Sequence, residues 1–318
     1  MRLSRLAPLA LLLATCTTAP RPVADGWEQL AKAAPYPGAY NFPVHVSGDG
    51  RFVALHPEGT WSSRDGANWV KEPLPPSGTN SAYLPVIQHQ GVTWALGTIE
   101  GNYQDFTLDP VIRRTADYRA WQVVGRAASY PRLIFSAAVS FKGAIWLLGG
   151  YDGGAESNAV WRSTNGMDWE RMAEHAAWPA RSGAKAVVFR DRIFLLGGGK
   201  LDGPLAGDVW SSADGVNWTR ETDALASPTP TGFTPQVFDG KLWLVGANRA
   251  GGFSSEMLVS ADGRSFTAVK APWSPRGGVA TWVSDGRMYL TGGKYSYPVN
   301  GEPKFVYSND VWAMRAPR

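Results

Sequence analysis

One phrase keeps returning along this chain. GDVWSSADGVNWTR at 207–220 reappears as AVWRSTNGMDWER at 159–171 and as GTWSSRDGANWVK at 59–71, with a worn copy, LVSADGRSFTA, at 258–268. A repeat of this length restricts the fold to architectures assembled from copies of one supersecondary unit. Counted from the aromatic that closes the phrase, the copies fall at Trp27, Trp69, Trp121, Trp169, Trp218 and Phe266. The steps are 42, 52, 48, 49 and 48 residues, which makes six units.

Each unit divides into four segments of strand length separated by turn residues. The second reads GAIWLLGG at 143–150, DRIFLLGG at 191–198, GKLWLVGA at 240–247 and GRMYLTGG at 286–293. The third carries Trp61, Trp161, Trp210 or Trp312, and the fourth begins near the closing aromatic. Between third and fourth stand Asp65-Gly66, Asn165-Gly166, Asp214-Gly215 or Asp262-Gly263. These pairs are expected to accept the positive φ values of a tight hairpin. With 36 glycines, 23 prolines and no amphipathic helical spacing, the chain reads as all-β.

The paired glycines after the second segment, followed by Gly207-Asp208-Val209-Trp210 or Ser308-Asn309-Asp310-Val311-Trp312, resemble the kelch and galactose-oxidase-like family over residues 26–318. The resemblance implies a six-bladed β-propeller with four antiparallel strands per blade. Gly26-Trp27-Glu28-Gln29-Leu30 reads as a fourth strand with no unit before it, and the last unit has no room for its own. The N-terminal strand is therefore expected to complete the C-terminal blade. The copper and crosslinked tyrosine of galactose oxidase are not implied, because Cys16, the single cysteine, lies outside the propeller.

Residues 1–16 have a positive start and an apolar run from Leu6 to Ala14, too short to span a bilayer, and read as an export signal. The ending Leu13-Ala14-Thr15-Cys16 resembles the lipobox of bacterial lipoproteins, which implies lipidation at Cys16 and a tether over 17–25. The expected location is the bacterial cell envelope, as an outer-membrane lipoprotein facing the periplasm or the exterior. The alternative is ordinary cleavage, for example after Ala19, giving a soluble periplasmic or secreted protein. Net charge is +4, and about +2 without Arg2 and Arg5. That lacks the basic stripe of a nucleic-acid reader.

Chain-tracing places the crossovers between blades and the loops between second and third strands on one face, away from the hairpins. Three crossovers share an aromatic and an arginine: Tyr130-Pro131-Arg132, Trp178-Pro179-Ala180-Arg181 and Trp273-Ser274-Pro275-Arg276. Arg132, Arg181 and Arg276 are expected to converge at the channel mouth and hold an anion, since the guanidinium fork matches carboxylate. Tyr130, Trp178 and Trp273 would offer flat apolar surfaces beside them. The opposing expectation is that these arginines bond neighbouring loops. His56 and His175, near Glu100, Asp105, Asp152, Asp202 or Glu256, are conceivable acid–base groups. The four histidines show no metal-binding spacing, and no cofactor is indicated. The expected function is a monomeric, non-enzymatic propeller binding an acidic glycan or protein ligand on its loop face. The alternative is a carbohydrate-active enzyme resembling kelch-type sialic acid mutarotases.

Overall fold

The computed structural model describes residues 26–249 and 252–316. The export segment, Cys16 and the tether lie outside the described residues. Among the described residues five four-stranded antiparallel sheets and one five-stranded sheet form the blades, and a small three-stranded sheet of Pro230–Thr231, Ala247–Arg249 and Gly252–Ser254 accompanies them. Blade 1 spans 44–72, blade 2 spans 86–126, blade 3 spans 137–173, blade 4 spans 185–222 and blade 5 spans 234–270. Blade 6 is made of Gly277–Ser284, Arg287–Val299, Val311–Arg315 and, on its outside, Trp27–Ala31. The closing strand lies antiparallel to Val311–Arg315, with Trp27 opposite Met314 and Gln29 opposite Trp312.

The innermost strands adjoin in sequence from blade 2 through blade 6 to blade 1. The circuit closes between blades 1 and 2, where Gln88 Nε2 donates to the Val46 carbonyl at 2.9 Å and His45 Nδ1 meets Thr93 Oγ1 at 3.1 Å. Each sheet is buried on both sides against its neighbours. Its second strand is accordingly almost continuously apolar, as in Ala144–Tyr151 and Lys241–Val245.

The repeated phrase is a turn wired by its own side chains. In blade 4, Ser212 Oγ accepts from the Gly215 N–H at 2.8 Å. Asp214 Oδ1 accepts from the N–H groups of Val216 and Asn217, and its Oδ2 from Asn217 Nδ2 at 2.7 Å. The Trp218 indole N–H then returns to the Gly215 carbonyl at 3.1 Å. Blade 1 repeats the arrangement with Ser63, Asp65, Gly66, Asn68 and Trp69. Only the glycine takes a positive φ, +81° at Gly215. The aspartate stays at negative φ and serves through its carboxylate, which is a correction to the hairpin reading. Hydrogen bonds led by that from Asn217 hold the Asp214 carboxyl well below the usual carboxylate range.

The glycine has a second duty. A Cβ at Gly215 would run into the Trp146 ring of blade 3, and one at Gly263 into Phe194 of blade 4. Gly166 packs likewise on Trp94 of blade 2, and Gly66 on Tyr289 of blade 6. Each such hairpin therefore sits on the second-strand aromatic of the preceding blade. This contact is why the glycine and the aromatic recur in phase.

Candidate functional site

Two of the three crossover arginines are part of the framework. Arg181 is 1% exposed, and its guanidinium grips the Asp208 carboxylate through both terminal nitrogens, at 2.6 and 3.0 Å. It also donates to the Gly197 and Pro179 carbonyls. Arg276 repeats this with Asp310 and the Gly292 carbonyl. In both blades the carboxylate also receives the indole N–H of the tryptophan two residues on, Trp210 or Trp312, at 2.8 Å. With every donor directed inward, Arg181 and Arg276 do not line the channel mouth, and the expectation that they bind an anion there is corrected.

Arg132 differs from both. Strand register places Ala137, Lys185 and Ala280 at one level, opposite Leu148, Leu196 and Thr291. Four residues earlier stand Leu133, Arg181 and Arg276. Leu133 thus fills the buried position in blade 3, and Arg132 is turned out to solvent. The crossover aromatics are buried as well. Tyr130 packs edge-on against Trp169, Trp178 against Trp218 and Trp273 against Trp27, with interplanar angles of 89–90°. Tyr36 does the same to Trp69. These rings seal each crossover onto the outer strand of the next blade, so the ligand-facing role expected for Tyr130, Trp178 and Trp273 is corrected too.

The loop face nevertheless holds a cavity of about 600 Å³ between blades 6, 1 and 2. Crossover residues (Tyr40, Asn80, Tyr83) and second-to-third-strand loop residues (Glu58, Tyr307) line it together, as chain-tracing anticipates. Ser81 and Tyr83 also border the upper channel, a space of about 350 Å³ reaching His45, Lys185, Thr234 and Thr281. The cavity walls are aromatic, with Tyr40 beside Tyr307 at 5.8 Å and Tyr83 stacked on Phe135 at 4.9 Å.

Cations around this mouth have no counterions among the described residues. The Lys294 ammonium lies 4.1 Å from the Tyr40 ring centre and 5.0 Å from that of Phe305. Neither Lys294 nor Lys185 makes a hydrogen bond or ion pair among the described residues, and burial pushes both amines below the ordinary lysine value. Arg113 Nη1 is buried without an acceptor beside Gly78, which lines the cavity. Sequence reasoning did not single out these groups. Lys185 leaves one trace there, a charge at an inner-strand level where other blades carry Ala137, Thr234 and Ala280.

The histidines do not supply a poised base here. His56 Nδ1 accepts from the Glu58 N–H at 3.0 Å and its Nε2–H donates to the Pro37 carbonyl at 3.1 Å, so both nitrogens are engaged. Burial pushes the His45 imidazole down to about 4 from 6.5. The unfolded chain takes up this proton as pH falls through 6.5, whereas the folded chain resists until about pH 4. Stability therefore declines across that window, by on the order of 3 kcal/mol from this group. His56 and His89 are pushed down by burial in the same sense. Urea unfolding at stepped pH should give a shallower decline for His45→Gln than for wild type, and parallel curves would refute this account.

Among the described residues no group of three His, Cys, Asp or Glu side chains could hold a metal ion, and no helix is long and apolar enough to cross a membrane. Six radial sheets, a central channel and a lined cavity over its mouth define a β-propeller. The chain belongs to the DUF6242 beta propeller domain family, whose family model matches residues 13–316. Among solved structures it is similar to YjhT, at 13% identity over 89% of this chain and 96% of that one, with a TM-score of 0.68. At that identity the likeness shows the fold alone. No curated protein sequence matches the chain.

Proposed function

We propose that this propeller binds an acidic glycan in the cavity over its channel mouth, and that it does so at the bacterial cell envelope, anchored by lipid on Cys16. What supports the reading is the Lys294 ammonium against the Tyr40 ring of the cavity wall and Lys185 in the adjoining channel, with Tyr83 and Tyr307 on the same wall. Aromatic faces take the apolar side of a sugar, and a partly desolvated ammonium takes its carboxylate. A charge-assisted hydrogen bond contributes about 1.5–3 kcal/mol, so Lys294→Met should weaken binding roughly tenfold or more.

The test is calorimetric titration with oligogalacturonate and with the corresponding neutral oligosaccharide. Wild type should prefer the acidic glycan, more so at low salt, and Lys294→Met should abolish the preference. Equal binding of the two glycans would overturn the proposal. The enzymatic alternative, resembling sialic acid mutarotases, would have to work with Glu58, the carboxylate that lines the cavity, because His56 is fully engaged. Accelerated anomeric exchange of the bound sugar by NMR would favour that reading.

A further inference from the structure

Blade 3 has lost the charged lock that blades 4 and 6 share. Register aligns Trp161 with Trp210 and Trp312, since these stand opposite Leu147, Leu195 and Leu290. Two residues earlier stand Ala159, Asp208 and Asp310. Blade 3 thus has alanine in place of the carboxylate, and Leu133 in place of its arginine. The Trp161 indole N–H, whose counterparts donate to aspartate, is left buried without an acceptor. Arg132, one residue before Leu133, stands exposed with no hydrogen bond or ion pair among the described residues.

A cleft of about 640 Å³ opens at this place, on the outer part of the loop face away from the channel. Arg132, Ala159, Trp161 and His175 line it. Its other charges are satisfied. Asp152 Oδ1 accepts the N–H groups of Gly154 and Ala155 at 2.8 Å each, and Glu174 is bridged by Arg171 at 3.5 Å. Arg132 is therefore the cleft's one cation without a counterion among the described residues.

His175 is oriented by a chain of fixed donors. Asn158 Nδ2 donates to the Ala176 and Trp178 carbonyls at 3.1 and 3.2 Å, which makes Asn158 Oδ1 the acceptor. His175 Nδ1, 3.1 Å from that oxygen, must then carry a proton. In the neutral ring Nε2 remains an unengaged acceptor, suited to a hydroxyl.

We propose that this cleft is a second ligand site, taking a small hydroxy-carboxylate of the sugar-acid class. Arg132 grips the carboxylate bidentately, His175 Nε2 accepts from a ring hydroxyl, and Trp161 lies along the wall. The ligand's carboxylate stands in for the aspartate that blades 4 and 6 carry in the chain itself.

The test is an NMR titration of the ¹⁵N-labelled protein with D-glucuronate and with D-glucose, following the Trp161 indole signal assigned through Trp161→Phe. Glucuronate should shift the signal saturably and glucose should not. Arg132→Ala should lower the affinity at least tenfold and Arg132→Lys by less, because lysine keeps the charge without the fork. Ala159→Asp, which supplies an internal carboxylate, should abolish the shift. Lys294→Met should leave it unchanged, which separates this site from the channel mouth. An unshifted indole signal, or an Arg132→Ala protein that binds like wild type, would overturn the proposal.

Discussion

Arg181→Met is expected to destabilise the protein by about 3–5 kcal/mol, the range for removing one partner of a buried ion pair. Four donated hydrogen bonds disappear, and Asp208 is left uncompensated with its side chain 7% exposed. In a chain of this size that corresponds to a fall in Tm of roughly 5–8 °C by calorimetry. The double variant Arg181→Met, Asp208→Leu should recover most of the loss, because a well-packed apolar pair often replaces a buried ion pair at little net cost. Blade 3 carries that solution already, with Leu133 and Ala159 at the equivalent positions.

The acid limb gives an independent check. Burial raises the Asp208 pKa, but hydrogen bonds from Arg181 and Trp210 outweigh it and hold the carboxyl below its ordinary value. A depressed folded pKa stabilises fully above the unfolded value of about 3.9, and that contribution is lost as pH falls through the folded value. The Asp208→Leu double variant should therefore show a weaker dependence of stability on pH below about 4 than wild type. A single Arg181→Met variant that melts like wild type would return Arg181 to the ligand-binding role that sequence reasoning gave it.

Introducing prolines at Glu28 and Gln29 together should disrupt closure of the ring. The pair removes the donors that the middle of the closing strand can offer to Val311–Arg315, and central strand positions do not accommodate proline. The cost extends beyond the ladder. Trp27 is the sixth outer-strand aromatic, and Trp273 packs edge-on against it at 4.4 Å. Without that strand blade 6 presents the unpaired edge of Val311–Arg315, a template for intermolecular pairing. The expected outcome is a broadened melting transition with concentration-dependent aggregation, read by calorimetry and light scattering. A monomeric variant melting within about 2 °C of wild type would show that the closing strand is dispensable.

The repeated antiparallel sheet, the closing strand and the sharing of one face by crossovers and long loops are legible in the sequence, because each follows from a period and from chain direction alone. The aspartate turn was only half legible. Asp214 and Gly215 mark a hairpin, but that the carboxylate gathers two amides and an asparagine needs coordinates. The arginines misled for a different reason. Pattern matching sets Arg132 beside Arg181 and Arg276, yet one residue fewer between the aromatic and the arginine reverses its side-chain direction relative to the strand. Nor does a sequence disclose pairing partners. Asp208 and Asp310, which quench two of the three charges, stand in the sequence only as part of a third-strand signature. Lys294 escaped notice because its setting is made by Tyr40, at the far end of the chain.

The hairpin glycine and the second-strand aromatic act as a peg and its socket. A blade bearing this pair presents the peg to one neighbour and the socket to the other, and wires its own turn through its serine, aspartate and tryptophan. Such a module can be copied in tandem and still fit its duplicate without any redesign of the joint. Lengthening or shortening the circle then falls to the curvature of the assembly, while divergence collects in the crossovers and long loops. Blade 3, with its lock removed and its cleft opened, has diverged there while keeping its peg, Gly166, and its socket, Trp146.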